Sequence, residues 1–110
     1  MQIVQTDRFL KDLKRLGASA KQIAALESSI LANPEIGDVV PGLGGLRKMR
    51  FGLGNKGKRG GGRAIYFLRV SEALAIMVFA YSKAEKTDMT QEEKRIALQL
   101  VREFENDRER

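Results

Sequence analysis

The sequence contains no cysteine and no histidine. The first absence excludes disulfides and thiol catalysis, and the two together exclude the usual zinc sites. The missing imidazole also removes the commonest general acid–base side chain. Any catalysis must therefore use Lys, Arg, Tyr, Ser, Asp or Glu. A carboxylate-only Mg²⁺ site is formally allowed, but no acidic pair lies near the basic stretch described below, and neither metal nor cofactor is expected. Long apolar runs are missing too: none approaches the ~20 residues that span a bilayer. The opening Met1-Gln2-Ile3-Val4-Gln5-Thr6 is not a basic region leading into an apolar one. The expected compartment is the cytoplasm, with no membrane partner.

One stretch lacks charge of one sign. Leu46 to Arg63 holds seven basic residues and no acidic one, in a chain whose net charge is +6. The remainder therefore comes to about −1, and the basicity is local. Lys and Arg gathered in a glycine-rich segment between two apolar runs point to a polyanion. At 110 residues the chain is expected to be one domain, residues 1–110, with a single modest core.

The apolar pattern gives the elements in order. Ile3 and Val4 suit an edge strand. Thr6 is placed to cap a helix with Asp7 in its first turn, Phe9, Leu13 and Leu16 on one face, and Gly17 past its end. Ser19-x-x-Gln22 has capping-box spacing before Ile23, Leu26 and Ile30. Asn33-Pro34 stops that second helix. Pro34 to Gly45 reads as loop. Leu46 to Phe51 alternates as a strand, with Arg47, Met49 and Phe51 opposite Leu46, Lys48 and Arg50. A glycine-rich basic loop follows, then strands over Arg63–Val70 and Ala73–Tyr81 joined by a turn at Ser71-Glu72. The second of these is apolar throughout and reads as a central strand buried on both faces. Its register would send Tyr81 and Lys83 to the same side. Thr90-x-x-Glu93 opens a last helix carrying Ala97, Leu100, Val101 and Phe104. The expected fold class is α+β: a small twisted antiparallel sheet with two N-terminal helices and a C-terminal helix, the helices on one face and the other face, or one end of it, free for binding.

Two phosphate motifs are near misses. Gly52-Leu53-Gly54-Asn55-Lys56-Gly57 matches G-x-G-x-x-G, and Gly57-Lys58 ends a P-loop-like string. Both motifs need a helix afterwards, and a strand follows here; Arg59 also stands where the P-loop needs Ser or Thr. Side-chain contact with phosphate fits better. Arg grips phosphate through paired hydrogen bonds, and Lys acts as a point charge.

Asn33 to Lys48, the block Gly57-Lys58-Arg59-Gly60-Gly61-Gly62-Arg63-Ala64-Ile65-Tyr66-Phe67, and Tyr81-Ser82-Lys83-Ala84-Glu85-Lys86 together resemble the HigB branch of the RelE/ParE toxin superfamily, over roughly residues 30 to 101. The resemblance implies a RelE-like fold and a toxin encoded with an antitoxin, here a helix-turn-helix protein of HigA type. It implies an endoribonuclease that enters the ribosome and cuts mRNA without metal, the ribose 2′-OH attacking the adjacent phosphate. Arg63 matches the family's arginine at the start of the strand after the loop and would clamp the phosphate. Lys83 would be acid, base or phosphate contact. Tyr81 would orient the ribose or stack on a base. Lys56, Lys58 and Arg59 would hold the RNA backbone, with Lys48 and Arg50 extending the patch. Ala84 stands where RelE has arginine, and no tyrosine follows Tyr81, so no general base is assigned. Two other readings are a ParE-like toxin that binds a protein such as gyrase, and a plain RNA-binding module. The second suits this chain less well, because its seven aromatics fall mostly in apolar runs and such modules stack bases on several exposed rings.

Overall fold

In the computed structural model, which describes residues 1–54 and 61–108, three helices pack on a five-stranded sheet. The elements are β1 (Gln2–Gln5), α1 (Asp7–Arg15), α2 (Ala20–Ala32), β2 (Asp38–Val39), β3 (Leu46–Phe51), β4 (Gly62–Arg69), β5 (Leu74–Ser82) and α3 (Gln91–Arg108). The strand order is β1-β5-β4-β3-β2. The class is α+β, as the sequence suggested, and the helix signals act where they stand. Thr6 accepts from the Phe9 N–H, Ser19 and Gln22 close a capping box, and Gly17 takes φ +70° beyond α1. Thr90 and Glu93 close the second capping box, ahead of α3.

Three expectations need correction. The sheet is mixed, not wholly antiparallel, because β1 runs parallel to β5. Local patterning shows that Ile3 and Val4 are extended, but not which strand some seventy residues away receives them. The segment read as loop contains β2, paired with β3 at Asp38↔Lys48 and Val39↔Arg47. Two residues are too few to display a period. Finally, the helices occupy both faces. Phe9 and Leu13 of α1 and Leu26 and Ile30 of α2 join Met49, Phe51, Tyr66 and Met77 in one core layer. Ala97 and Val101 of α3 join Leu46, Ile65, Phe67 and Val78 in the other. A central strand as apolar as β5 leaves neither face fit for water, so each must be covered. No open sheet face is left to bind a ligand; a binding surface must lie at an end or an edge.

A β-bulge sets the faces of β5. Ile65 pairs with Phe79 and Tyr66 with Met77, so Val78 is an extra residue. Val78 and Phe79 therefore both turn toward α3. Beyond the bulge Tyr81 also lies on the α3 face, whereas strict alternation from Ile76 would put it under α1.

The two outer edges of the sheet are treated differently. β1 covers β5 only as far as Met77. Past it, side chains take over: Thr6 Oγ1 donates to the Val78 carbonyl at 3.1 Å, and Asp12 Oδ2 accepts from the Ala80 N–H at 3.0 Å. Glu85 accepts from the Ser82 N–H at 2.9 Å. At the other edge β2 covers β3 only to Lys48, and from Met49 onward β3 has no neighbouring strand on that side among the described residues. Tyr66 anchors the chain leading into β2: its hydroxyl donates to the Pro34 carbonyl at 2.7 Å and accepts from the Gly37 N–H at 3.0 Å. A Cβ on Gly37 would stand 2.8 Å from the Tyr66 ring, so only glycine allows this approach.

Candidate nucleic-acid interface

The antiparallel registers of β3, β4 and β5 fix the site. Arg50 lies directly opposite Arg63, and Arg63 directly opposite Tyr81. All three belong to the α3 face, since their neighbours two residues away, Lys48, Ile65 and Phe79, do so. Two cations facing each other across a ladder repel and weaken the pairing.

Lys83 joins the same end of the sheet. It lies in the turn just past β5, and its backbone N–H donates to the Gly61 carbonyl just ahead of β4. Its side chain is exposed and has no ion pair or hydrogen bond among the described residues. Arg63 is half-buried, and its Nη1 donates to the Gly62 carbonyl at 2.9 Å. Gly62 is required here: an added Cβ would lie 2.7 Å from the Phe51 ring packed across it. Arg63, Arg50 and Lys83 therefore gather where the sequence led us to expect them, at one end of the sheet. Lys56, Lys58 and Arg59, expected to hold RNA, lie outside the described residues.

Tyr81 is not a surface residue. It is 1% exposed, its hydroxyl has no hydrogen-bond partner among the described residues, and Lys86 Nζ sits 5.4 Å from the centre of its ring. Burial, followed by the Asp88 charge, pushes its pKa up to about 12, and Arg63 opposes them. At neutral pH the phenol is protonated, so it can donate a hydrogen bond but cannot serve as a base.

Sequence reasoning missed the acidic groups that organise this face. Asp88 lies 3.7 Å from Lys48 and 3.3 Å from Lys94, so Lys48 is already engaged. Glu93 is buried and binds Lys86 at 2.7 Å and Arg8 at 3.1 Å. Burial alone would raise its pKa, but Lys86, the Thr90 N–H and Arg8 hold it below the ordinary range. The Thr90 capping box revealed Glu93 as a cap; nothing in the spacing revealed it as the anchor of Lys86 under Tyr81. No group of three or more potential metal-binding side chains occurs among the described residues, and no described helix is long and apolar enough to cross a membrane.

A mutant of the Escherichia coli toxin RelE in the free state shares the fold, at 15% identity and a TM-score of 0.56, covering 77% of this chain and 85% of that one. A conserved hypothetical protein of Helicobacter pylori, HP0892, does so at 17% identity and 0.53, covering 77% and 97%. The model of the family described as the RelE toxin of the RelE/RelB toxin–antitoxin system matches residues 37–109, from the approach to β2 through α3. That span includes Arg50, Arg63, Tyr81 and Lys83, and on this match the chain belongs to the RelE toxin family.

Proposed function

We propose that the protein is a HigB-type toxin that cuts mRNA on the ribosome by metal-independent attack of a ribose 2′-OH on the neighbouring phosphate. Its cognate antitoxin, implied by the family, would be a HigA-like helix-turn-helix protein, and its compartment the cytoplasm. The reading is carried by one observation: Arg50 and Arg63 face each other across the ladder at the sheet end that also holds Lys83. In the reaction the 2′-hydroxyl gives up its proton to solvent water, the 2′-oxygen bonds to phosphorus and the bond from phosphorus to the 5′-oxygen breaks. A 2′,3′-cyclic phosphate and a free 5′-hydroxyl result. Arg63 holds the phosphate and neutralises the charge that grows on its oxygens, and fixed cations placed in this way usually lower such a barrier more than any other group does. Lys83, exposed beside it, gives a proton to the departing 5′-oxygen. Tyr81, buried directly across the ladder from Arg63, supports that arginine from behind and does not act as the base. Arg50, Lys56, Lys58 and Arg59 hold the RNA backbone, and Lys48 reaches it only by giving up its contact with Asp88.

Expression without antitoxin should stop growth, and the neighbouring gene should restore it. Primer extension on translated transcripts should show cuts. Intact transcripts with trapped gyrase would assign the toxin to the ParE type instead. Arg63→Ala should lower cleavage by about 10²-fold or more and relieve toxicity, as should Lys83→Ala, both with folding intact. Full toxicity in both variants would remove these residues from the site.

A further inference from the structure

A cleft of about 680 Å³ lies between α2 and the uncovered edge of β3. Its floor is apolar, formed by Leu26, Ile36 and Phe51, and among the described residues its charged lining is Lys21 and Arg50, with no carboxylate. The size is that of small-molecule and nucleotide sites. The strand edge along it has hydrogen-bonding capacity. The Leu46 carbonyl accepts from the Val40 N–H, which shows that Leu46 turns its backbone groups outward. In an antiparallel strand alternate residues share that direction, so Arg50 also presents its N–H and C=O outward, beyond the reach of β2. An adjacent donor and acceptor on a strand edge complement the donor–acceptor edge of a nucleobase.

We propose that this cleft binds one nucleotide of the RNA strand as it leaves the reacting phosphate. The inference rests on the RNA-cutting reading above and extends it to a second subsite. The base lies on the apolar floor, its edge meets the Arg50 backbone, and Lys21 meets its phosphate. Arg50 connects the two sites, because its side chain belongs to the row with Arg63 and its backbone lines the cleft. The positive rim, without a carboxylate among the described residues, favours a nucleic acid over a peptide.

The test uses the full-length protein and a mixed-sequence 2′-O-methyl hexanucleotide, which binds but lacks the attacking hydroxyl. Lys21 and Ala25 are both exposed, so Lys21→Ala and the cleft-filling Ala25→Trp should fold. Ala25→Trp should weaken binding about tenfold, the scale of losing one base contact. Lys21→Ala should lower the slope of log affinity against log salt by about 0.7. Wild-type affinity and slope in both variants would overturn the proposal, and an accompanying loss of antitoxin binding would show that the cleft receives protein. In either case Arg63→Ala reports separately: weakened hexanucleotide binding there leaves the proposed function standing, and unchanged binding removes both readings.

Discussion

The two edges of this sheet solve the same problem in opposite ways. Each has an outer strand too short to cover its neighbour, so backbone groups of β5 and β3 are left over. On β5, Thr6, Asp12 and Glu85 bond to those groups, and α1 lies alongside. On β3 a cleft lies alongside instead. An uncovered strand edge invites pairing with another chain, so proteins usually blunt it. One edge is closed by side-chain hydrogen bonds and the other, among the described residues, is left open.

The largest effect should come from Asp12→Ala. It leaves the buried Ala80 N–H without its partner and removes one of the two carboxylates paired with Arg8 and with Arg15. The expected loss is about 2–3 kcal/mol in denaturant unfolding, and Asp12→Asn, which keeps an acceptor, should lose less. At the other edge Tyr66→Phe should cost about 1–2 kcal/mol, because the Gly37 N–H and Pro34 carbonyl are then unpaired. Tyr81→Phe removes a buried hydroxyl that pairs with nothing described. It should leave stability unchanged or slightly higher while lowering cleavage. A stability loss equal to that of Tyr66→Phe would mean that the Tyr81 hydroxyl serves the fold. Smallest of all, Arg50→Ala at the open edge should shift stability by no more than about 0.5 kcal/mol, upward if relief of the Arg63 repulsion dominates.

Acid should loosen the sealed edge first. Burial alone would raise the Glu85 pKa, yet the Ser82 N–H, Arg15 and Lys86 hold it below its ordinary value of 4.5. A carboxyl depressed in the folded state contributes stability above its unfolded pKa, and that contribution is lost as pH falls through the folded value. Unfolding midpoints should therefore drop below pH 4.5, and Glu85→Gln should flatten that drop by a small amount, since the Arg15 pair is substantially exposed. Tyr81 behaves in the opposite direction. Its folded pKa is raised to about 12, so its contribution is complete below pH 10 and lost between 10 and about 12.

Much of this was legible in the sequence because it is local. Thr6, Ser19 and Thr90 cap where they were expected, Gly17 and Asn33 end their helices, and the strand expected from Arg63 begins one residue earlier, at Gly62. The meander also suggested that Arg63 and Lys83 lie at one sheet end with Arg50 extending the patch, but not that Arg50 stands directly opposite Arg63. What was hidden is long-range. Asp12 meets Ala80 and Arg8 meets Glu93 through contacts that no spacing records. The parallel partner of β1 and the second covered face are of the same kind, because both depend on where an element docks rather than on what it is. The cleft was hidden for a further reason: it exists because β2 is short, and a strand's length beside its neighbour is not written in either strand alone.

The extra residue in β5 has a consequence for how this chain tolerates change in length. Val78 works as a phase shift: upstream of it the strand keeps one rhythm, and downstream the opposite one. A chain lacking that single position would regain perfect alternation, with Phe79 still opposite Ile65 and Tyr81 still opposite Arg63; it would lose only the Val78 side chain from the layer under α3. A residue lost between Phe79 and Tyr81 has the opposite result: Tyr81 would turn beneath α1, out of line with the two arginines. The strand is therefore tolerant of a shorter count at the bulge and intolerant of one beyond it.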